Sequence, residues 1–181
     1  MSGGGNWVST SMPYLTRRDA GQPDAWAEEA AAQGRTGTQR ILSAGEAPAS
    51  VEVGALLGVA AGQPVVFRRR VIELDGAPNE LTDTYYPVEI ARGTALAGTA
   101  KIRGGAVTLL ARLGHVGVRV REDVTARLPT TEERTLLAMD EAEPVLRLAR
   151  LTLDAEGRPI QADLMTMPAD RRRLRYEIAI G

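Results

Sequence analysis

The sequence contains no cysteine and a single histidine, His115. Without cysteine there is no disulfide framework, no thiolate nucleophile and no cysteine-based zinc site, and one histidine cannot build a multi-histidine metal centre. A nucleophile-elbow serine, a Walker-type lysine and a dinucleotide-binding fingerprint are also absent from the sequence. We therefore assign no catalytic residue, no metal site and no cofactor.

Aromatic residues, long apolar runs and excess basic charge are scarce as well. One Phe, two Trp and four Tyr predict a core built from aliphatic side chains. No run approaches the roughly 20 apolar residues that cross a bilayer, and the N-terminus has no signal-peptide pattern, so a cytoplasmic location is expected by default. The formal net charge of -1 argues against DNA binding by this segment itself.

The length of 181 residues predicts a single domain. Residues 1–13 begin with Met-Ser-Gly-Gly-Gly and are predicted to be a poorly ordered linker or cloning-derived segment. Residues 14–181 are predicted to form the folded domain.

Two β-hairpins are the clearest local patterns. The first spans residues 64–87 around Asp75-Gly76, a pair that supplies the positive φ angles of a tight turn. The second spans residues 145–167 around Gly157. Further strands are predicted where β-prone residues run together, at 38–46, 116–128 and 174–180.

Helices are predicted at four places where an apolar face follows a capping residue or a glycine turn: 24–33, 50–57, 106–112 and a helix that opens at Thr130. Thr130 and Glu133 have the spacing of a capping box. The order of elements contains hairpins and no βαβ alternation. It therefore predicts an α+β domain with about six antiparallel strands and helices against one face of the sheet.

Three consecutive arginines in the first hairpin are the candidate site that composition does not explain. Strand alternation places Arg68 and Arg70 on one face and Arg69 on the other. The functional interpretation is an anion site, because the arginine donor fork suits carboxylate or phosphate. The alternative is a solvated strand face. Gly104-Gly105 could likewise place helix amides near an anion or could simply form a turn.

The first hairpin also carries a family resemblance. Residues 70–78, reading RVIELDGAP, and residues 83–87, reading DTYYP, are similar to the UTRA domains of GntR-type bacterial transcriptional regulators. Further similar segments follow in family order: Leu109-Leu110 with Gly114, ARLPT at 126–130 with Glu132-Glu133, PVLRL at 144–148 with Arg150, GRPI at 157–160, and ADR at 169–171 with Tyr176.

The resemblance implies a chorismate-lyase-like fold, a six-stranded antiparallel sheet with helices packed on it, which binds a small-molecule effector and forms a homodimer. In full-length members a winged helix-turn-helix precedes this part, and nothing before Tyr14 is long enough to supply it. We therefore expect DNA contact only through a missing N-terminal domain, and either an excised domain or a relative that lacks one.

The resemblance also suggests site residues, although the match to sugar-phosphate-sensing relatives is partial. Arg70 matches the first arginine of their Arg-x-Arg strand, whereas Ile72 stands where the second would be. Thr82 replaces a glutamate, and Gln161 and Met167 replace a late glutamate and tyrosine. The full set of candidate ligand-binding residues is Tyr14, Leu15, Thr16, Arg68, Arg70, Ile72, Thr82, Gly104, Gly105, Gln161 and Met167.

Each departure removes charge or polarity from the expected pocket. A sugar phosphate needs several polar partners to offset its desolvation, so the sequence favours a less polar, acidic effector held by Arg70 against Ile72 and Met167. Two alternatives stay open at this point. One is an enzyme of the chorismate-lyase type, since fold alone does not fix function, and the other is a dimerisation module without a ligand.

Overall fold

A computed structural model describes residues 7–18, 22, 24–140 and 142–178 of the chain. Its strands are β1 (Trp7–Ser9), β2 (Gly37–Pro48), β3 (Pro64–Leu74), β4 (Ala77–Pro87), β5 (Arg119–Arg127), β6 (Val145–Leu153), β7 (Pro159–Pro168) and β8 (Arg172–Leu174). Its helices are α1 (Met12–Leu15), α2 (Ala25–Ala32), α3 (Val51–Leu57), α4 (Val88–Ala91), α5 (Gly105–Arg112) and α6 (Thr131–Leu137), with one 3-10 turn at Ala95–Ala97.

Six strands form one antiparallel sheet in the order β2-β3-β4-β7-β6-β5. Both predicted hairpins are confirmed as the pairs β3–β4 and β6–β7. In the first turn Asp75 and Gly76 have φ angles of 51° and 79°, the mirror-image turn geometry that suits the twist of the flanking strands. The predicted α+β fold with a six-stranded antiparallel sheet is therefore confirmed.

Side-chain caps start three of the helices where the sequence predicts them. Asp24, Ser50 and Thr130 each accept a hydrogen bond from the backbone N–H three residues further on. Glu133 returns its carboxylate to the N–H of Thr130 and completes the predicted capping box. These caps satisfy N–H groups that the first helical turn leaves without partners.

Helices cover both faces of the sheet, whereas the sequence analysis expects them on one. The adjacent residues Val65 and Val66 show this, because neighbouring strand residues point to opposite faces. Val65 packs in a cluster with Val53 and Leu57 of α3, and Val66 packs with Leu110 of α5. The expectation of a single helical layer is wrong because strand periodicity alone does not reveal what covers the second face. Within the described residues, no helix is long and apolar enough to span a bilayer.

The two ends of the domain also differ from the sequence analysis. Trp7 is buried and packs edge-to-face on Trp26, while β1 pairs in parallel with β8. The segment 7–13 is thus folded, so the predicted linker does not extend over it, and residues 1–6 lie outside the described residues. The glycine-rich first residues gave no indication that Trp7 packs into the domain.

The predicted strand at 174–180 is wrong for residues 175–178, which have no regular structure, and residues 179 and 180 lie outside the described part of the chain. The strand predicted at 116–128 is confirmed over a shorter range, 119–127.

Candidate functional site

A cavity of about 690 Å³ lies on one face of the sheet. Its floor consists of alternate residues on four adjacent strands, among them Arg70 of β3, Thr82 of β4, Met165 of β7 and Leu148 of β6. These four lie in one row across the strands, because Arg70 pairs with Thr82, Thr82 with Met165, and Met165 with Leu148. The volume falls in the range of small-molecule sites.

Two other parts of the chain close over this floor. The segment of β1 and α1 contributes Ser9, Ser11 and Tyr14, and the residues before and at the start of α5 contribute Lys101 and Gly105. The cavity therefore lies between the sheet, the N-terminal segment and the entry to α5.

The structure brings together most of the residues that the sequence analysis names. Nine of them line the cavity: Tyr14, Thr16, Arg70, Ile72, Thr82, Gly104, Gly105, Gln161 and Met167. They come from five separate elements or loops, so the resemblance, and not local sequence, is what predicted their convergence.

Arg68 is the clearest correction among the candidate residues. It is 5% exposed, does not line the cavity, and donates hydrogen bonds to the backbone carbonyls of Ala95, Gly98 and Ala100. Burial lowers the pKa of its guanidinium. Arg68 shares a face with Arg70, as predicted, but one pleat further along β3 it meets the wall formed by the 3-10 turn. Its role there is to satisfy loop carbonyls.

Leu15 is the second correction, because it does not line the cavity although Tyr14 and Thr16 on either side do. Successive positions of a helix point in different directions, so Leu15, the last residue of α1, does not face the same site as Tyr14.

Arg70 faces the cavity with few partners of its own. Its guanidinium contacts only neutral oxygens, Gln39 Oε1 at 3.4 Å and Thr84 Oγ1 at 3.1 Å, and its Nε is buried without a hydrogen-bond partner. Among the described residues it forms no ion pair with a carboxylate. A guanidinium has five donors, so several remain available for an anion that enters the cavity.

Most other charged groups of the cavity wall are already paired. Arg150 donates to Glu122 at 2.6 Å and to Ser11 at 3.0 Å, and Glu80 accepts from Arg172 at 3.0 Å. These ion pairs leave little of their charge for a ligand, in contrast to Arg70.

Tyr14 adds a hydrogen bond between the N-terminal segment and α2. Its hydroxyl donates to the Glu29 carboxylate, and burial raises the pKa of both groups. The contact fixes the tyrosine at the cavity wall, where it was predicted.

The entry to α5 requires glycine. Gly104 and Gly105 have φ angles of 77° and 78°, the left-handed region that disfavours other residues. A Cβ on Gly104 would also lie 3.2 Å from Thr108 Cγ2. The pair therefore lets the chain turn closely past the cavity, with Lys101 and Arg103 also in its wall.

Asp163 is a site residue that the sequence analysis missed. It is 4% exposed, lines the cavity, and accepts hydrogen bonds from Thr84 Oγ1 at 2.6 Å and Gln161 Nε2 at 2.8 Å. A signal was available, because Asp163 and Met165 stand between the predicted residues Gln161 and Met167 at the two-residue period of one strand face. Extending that period would have found both.

Comparison with known proteins decides the family. The UTRA domain model matches residues 32–173, more than three quarters of the chain. The chain belongs to the UTRA domain family. The predicted resemblance is therefore confirmed.

The relatives of this UTRA domain are regulators of transcription. It is 32% identical over 138 residues to the HTH-type transcriptional regulator RB1450 of Rhizobium meliloti, an alignment that covers 76% of this chain and 56% of the relative. The chain thus spans little more than half the length of that regulator.

Solved structures of such domains have the same fold. The effector domain of PhnF from Mycobacterium smegmatis superposes with a TM-score of 0.72 at 24% identity, covering 86% of this chain and 94% of that one. The C-terminal domain of the histidine utilization repressor from Pseudomonas syringae superposes with a TM-score of 0.68 at 22% identity, covering 80% and 99%. These likenesses support the UTRA fold from independent structures.

Proposed function

We propose that this UTRA domain binds a small acidic effector in the cavity, as the sensing part of a transcriptional regulator. Arg70 carries the proposal: it is a cavity-lining guanidinium whose partners among the described residues are neutral. An anion that bonds to Arg70 would gain a charge-assisted, two-pronged contact in a partly dry site. The open cavity beside Arg70 supports ligand binding over a ligand-free dimerisation module.

The remainder of the effector is expected to be less polar than a sugar. Ile72, Leu148, Met165 and Met167 form an apolar part of the lining. Burying a sugar's hydroxyl groups against these side chains would leave hydrogen bonds unmade, at a cost of about 1–3 kcal/mol each. An acidic group at Arg70 and an apolar body against Ile72 and Met167 fit the lining better.

The names of the relatives support a regulatory role. We infer that a separate helix-turn-helix domain contacts DNA, that the protein acts as a homodimer in the bacterial cytoplasm, and that the effector shifts an equilibrium between arrangements of the DNA-binding domains. Catalysis of the chorismate-lyase type is disfavoured, because the family members are named as regulators and effector domains. Turnover of chorismate to pyruvate by the purified protein would reverse that inference.

A matched pair of variants tests the proposal. Isothermal titration with 4-methylpentanoate, an apolar carboxylate, and with glucose 6-phosphate should show tighter binding of the carboxylate to the wild type. Arg70→Gln should weaken carboxylate binding about tenfold or more, as expected for loss of a charge-assisted bond. Arg69→Gln is the control, because Arg69 lies on the opposite face of the same strand. Equal carboxylate affinity of the wild type and Arg70→Gln would contradict the proposal.

A further inference from the structure

Asp163 is a buried carboxylate without a cation. It is 4% exposed, and its two oxygens accept hydrogen bonds from neutral groups, the Thr84 hydroxyl and the Gln161 amide. Within the described ranges it forms no ion pair. Removing a carboxylate from water without an opposite charge costs several kcal/mol in general, so such a group needs a reason to be there.

The other acids that line the cavity differ from Asp163, because basic side chains pair with them. Glu80 pairs with Arg172 at 3.0 Å, and Asp24 pairs with Lys101 at 3.4 Å. Arg150 is even the cross-strand neighbour of Asp163 in the β6–β7 ladder, yet its donors go to Glu122 and Ser11. The absent partner of Asp163 therefore does not reflect a shortage of arginine nearby.

A single hydroxyl joins this isolated anion to the isolated cation. Thr84 Oγ1 accepts from Arg70 at 3.1 Å and donates its proton to Asp163 at 2.6 Å. Arg70 and Asp163 both line the cavity. A donor fork and a carboxylate thus lie side by side, one hydroxyl apart, and both reach the same space.

Gln161 extends the acceptor side of this arrangement. Its amide nitrogen must be the atom that points at Asp163, since a carboxylate only accepts. The amide oxygen has no hydrogen bond to another described residue, and Gln161 lines the cavity. Asp163 and Gln161 together therefore offer acceptors of the kind that hold an ammonium group.

We propose that the effector is a zwitterion of the amino-acid type, with its carboxylate on Arg70 and its protonated amine on Asp163 and Gln161. The apolar remainder lies along Ile72, Met165 and Met167. This inference rests on the proposed function, because it takes the acidic group at Arg70 from there and adds the second charge. A zwitterion neutralises both isolated charges at once, which a simple acid cannot do.

The test uses probes that differ by one charged group. L-phenylalanine and L-leucine are compared with their deaminated forms, 3-phenylpropanoate and 4-methylpentanoate, by thermal shift and isothermal titration. The variant is Asp163→Asn, which keeps an acceptor oxygen for Thr84 and removes the charge. Asp83→Asn is the matched control, because Asp83 pairs with Arg69 on the opposite face of the sheet.

At least one amino acid should bind the wild type more tightly than its deaminated form. Asp163→Asn should weaken amino-acid binding about tenfold while changing the affinity for the deaminated acid less than about twofold, and Asp83→Asn should change neither. Deaminated acids that bind as tightly as the amino acids, or an Asp163→Asn variant that binds amino acids like the wild type, would overturn the inference.

Those outcomes separate the two proposals. If carboxylates bind and depend on Arg70 while Asp163→Asn has no effect, the acidic effector stands and the zwitterion falls. If none of the four probes binds the wild type, both proposals fail for this class of molecule.

Discussion

Arg69 and Arg70 are adjacent on β3 but face opposite sides of the sheet in opposite electrostatic settings. Arg69 donates to Asp83 from two nitrogens, at 2.8 and 3.1 Å, and to Glu132 at 2.7 Å. The hydrogen bond that Arg69 donates to Asp83 raises the pKa of Arg69 further above its ordinary value. Arg70 contacts only the neutral side chains of Gln39 and Thr84.

Under our proposal, the difference separates charges that stabilise the fold from charges that bind another molecule. On the face of Arg69 the carboxylates and guanidiniums saturate each other, as Arg127 and Glu133 also do through two bonds of 2.7 and 2.6 Å. On the cavity face, Arg70 and Asp163 each form no ion pair with another described residue. Unsaturated charge beside an open cavity is what a binding site needs before its ligand arrives.

The largest expected effect is on stability. It tests whether Arg68, which shares a strand face with Arg70 but lies two residues earlier on β3, has a different role. Arg68→Ala should lower the free energy of unfolding by about 4 kcal/mol, because it leaves three loop carbonyls without their buried donor. Urea unfolding followed by circular dichroism measures it. Arg68→Lys should recover part of the loss, since it keeps the charge but not the planar fork. If Arg68→Ala lowered the free energy of unfolding as little as Arg70→Met does, Arg68 would not stabilise the fold through its three carbonyl contacts.

The next effect concerns how the cavity face is covered. Trp7→Ala should destabilise the domain by about 3 kcal/mol, because Trp7 is 2% exposed and packs with Trp26, Ile72 and Leu74. Unfolding should be followed by circular dichroism and not by tryptophan fluorescence, because the chain has two tryptophans, they contact each other, and the substitution removes one of them. Trp7→Phe should lose less. If Trp7→Ala left the free energy of unfolding unchanged, the packing of β1 over the cavity would not stabilise the domain.

Local and long-range features of the fold differ in how far they could be predicted from the sequence. Hairpins and caps were predictable because a turn pair such as Asp75-Gly76 and a box such as Thr130 with Glu133 act over a few residues. The position of Arg70 on the cavity face was predictable from family resemblance and strand alternation. What failed was long-range: no local signal shows that Arg68 meets the carbonyls near residue 98, or that Trp7 packs on Trp26.

Acid titration gives a third comparison of the faces. The hydrogen bond from Arg127 lowers the pKa of Glu133 to about 2 from its ordinary 4.5. A carboxyl whose pKa is lower in the folded state stabilises the fold above its unfolded pKa and loses that effect as the pH falls. Glu133 should therefore lose about 2 kcal/mol of its stabilising effect between pH 5 and 2, less than the full pKa shift would give, because the side chain of its partner Arg127 is 36% exposed and solvent screens the pair.

Glu133→Gln should reduce this loss of stability at low pH, as measured by urea unfolding at a series of pH values.

Glu29, beside the cavity, should show the opposite pH dependence of stability, because burial raises its pKa. Its contribution is present at low pH and is lost as the pH rises through the folded pKa. Glu29→Gln should therefore gain stability relative to the wild type as the pH rises from 4 to 7. If Glu133→Gln and Glu29→Gln changed the pH dependence of stability in the same direction, the opposite pKa shifts of the two carboxyls would be contradicted.

The smallest effect concerns the two adjacent arginines themselves. Arg69→Met leaves Asp83 and Glu132 without their cation and should cost about 1–2 kcal/mol, with a smaller cost at high salt. Arg70→Met removes two bonds to neutral groups and a buried, unpartnered Nε, so it should cost about 0.5 kcal/mol or less. Urea midpoints at low and high salt measure the difference. Equal losses from both substitutions would mean that Arg70 stabilises the fold as Arg69 does, and that its charge is not available to a ligand in the cavity.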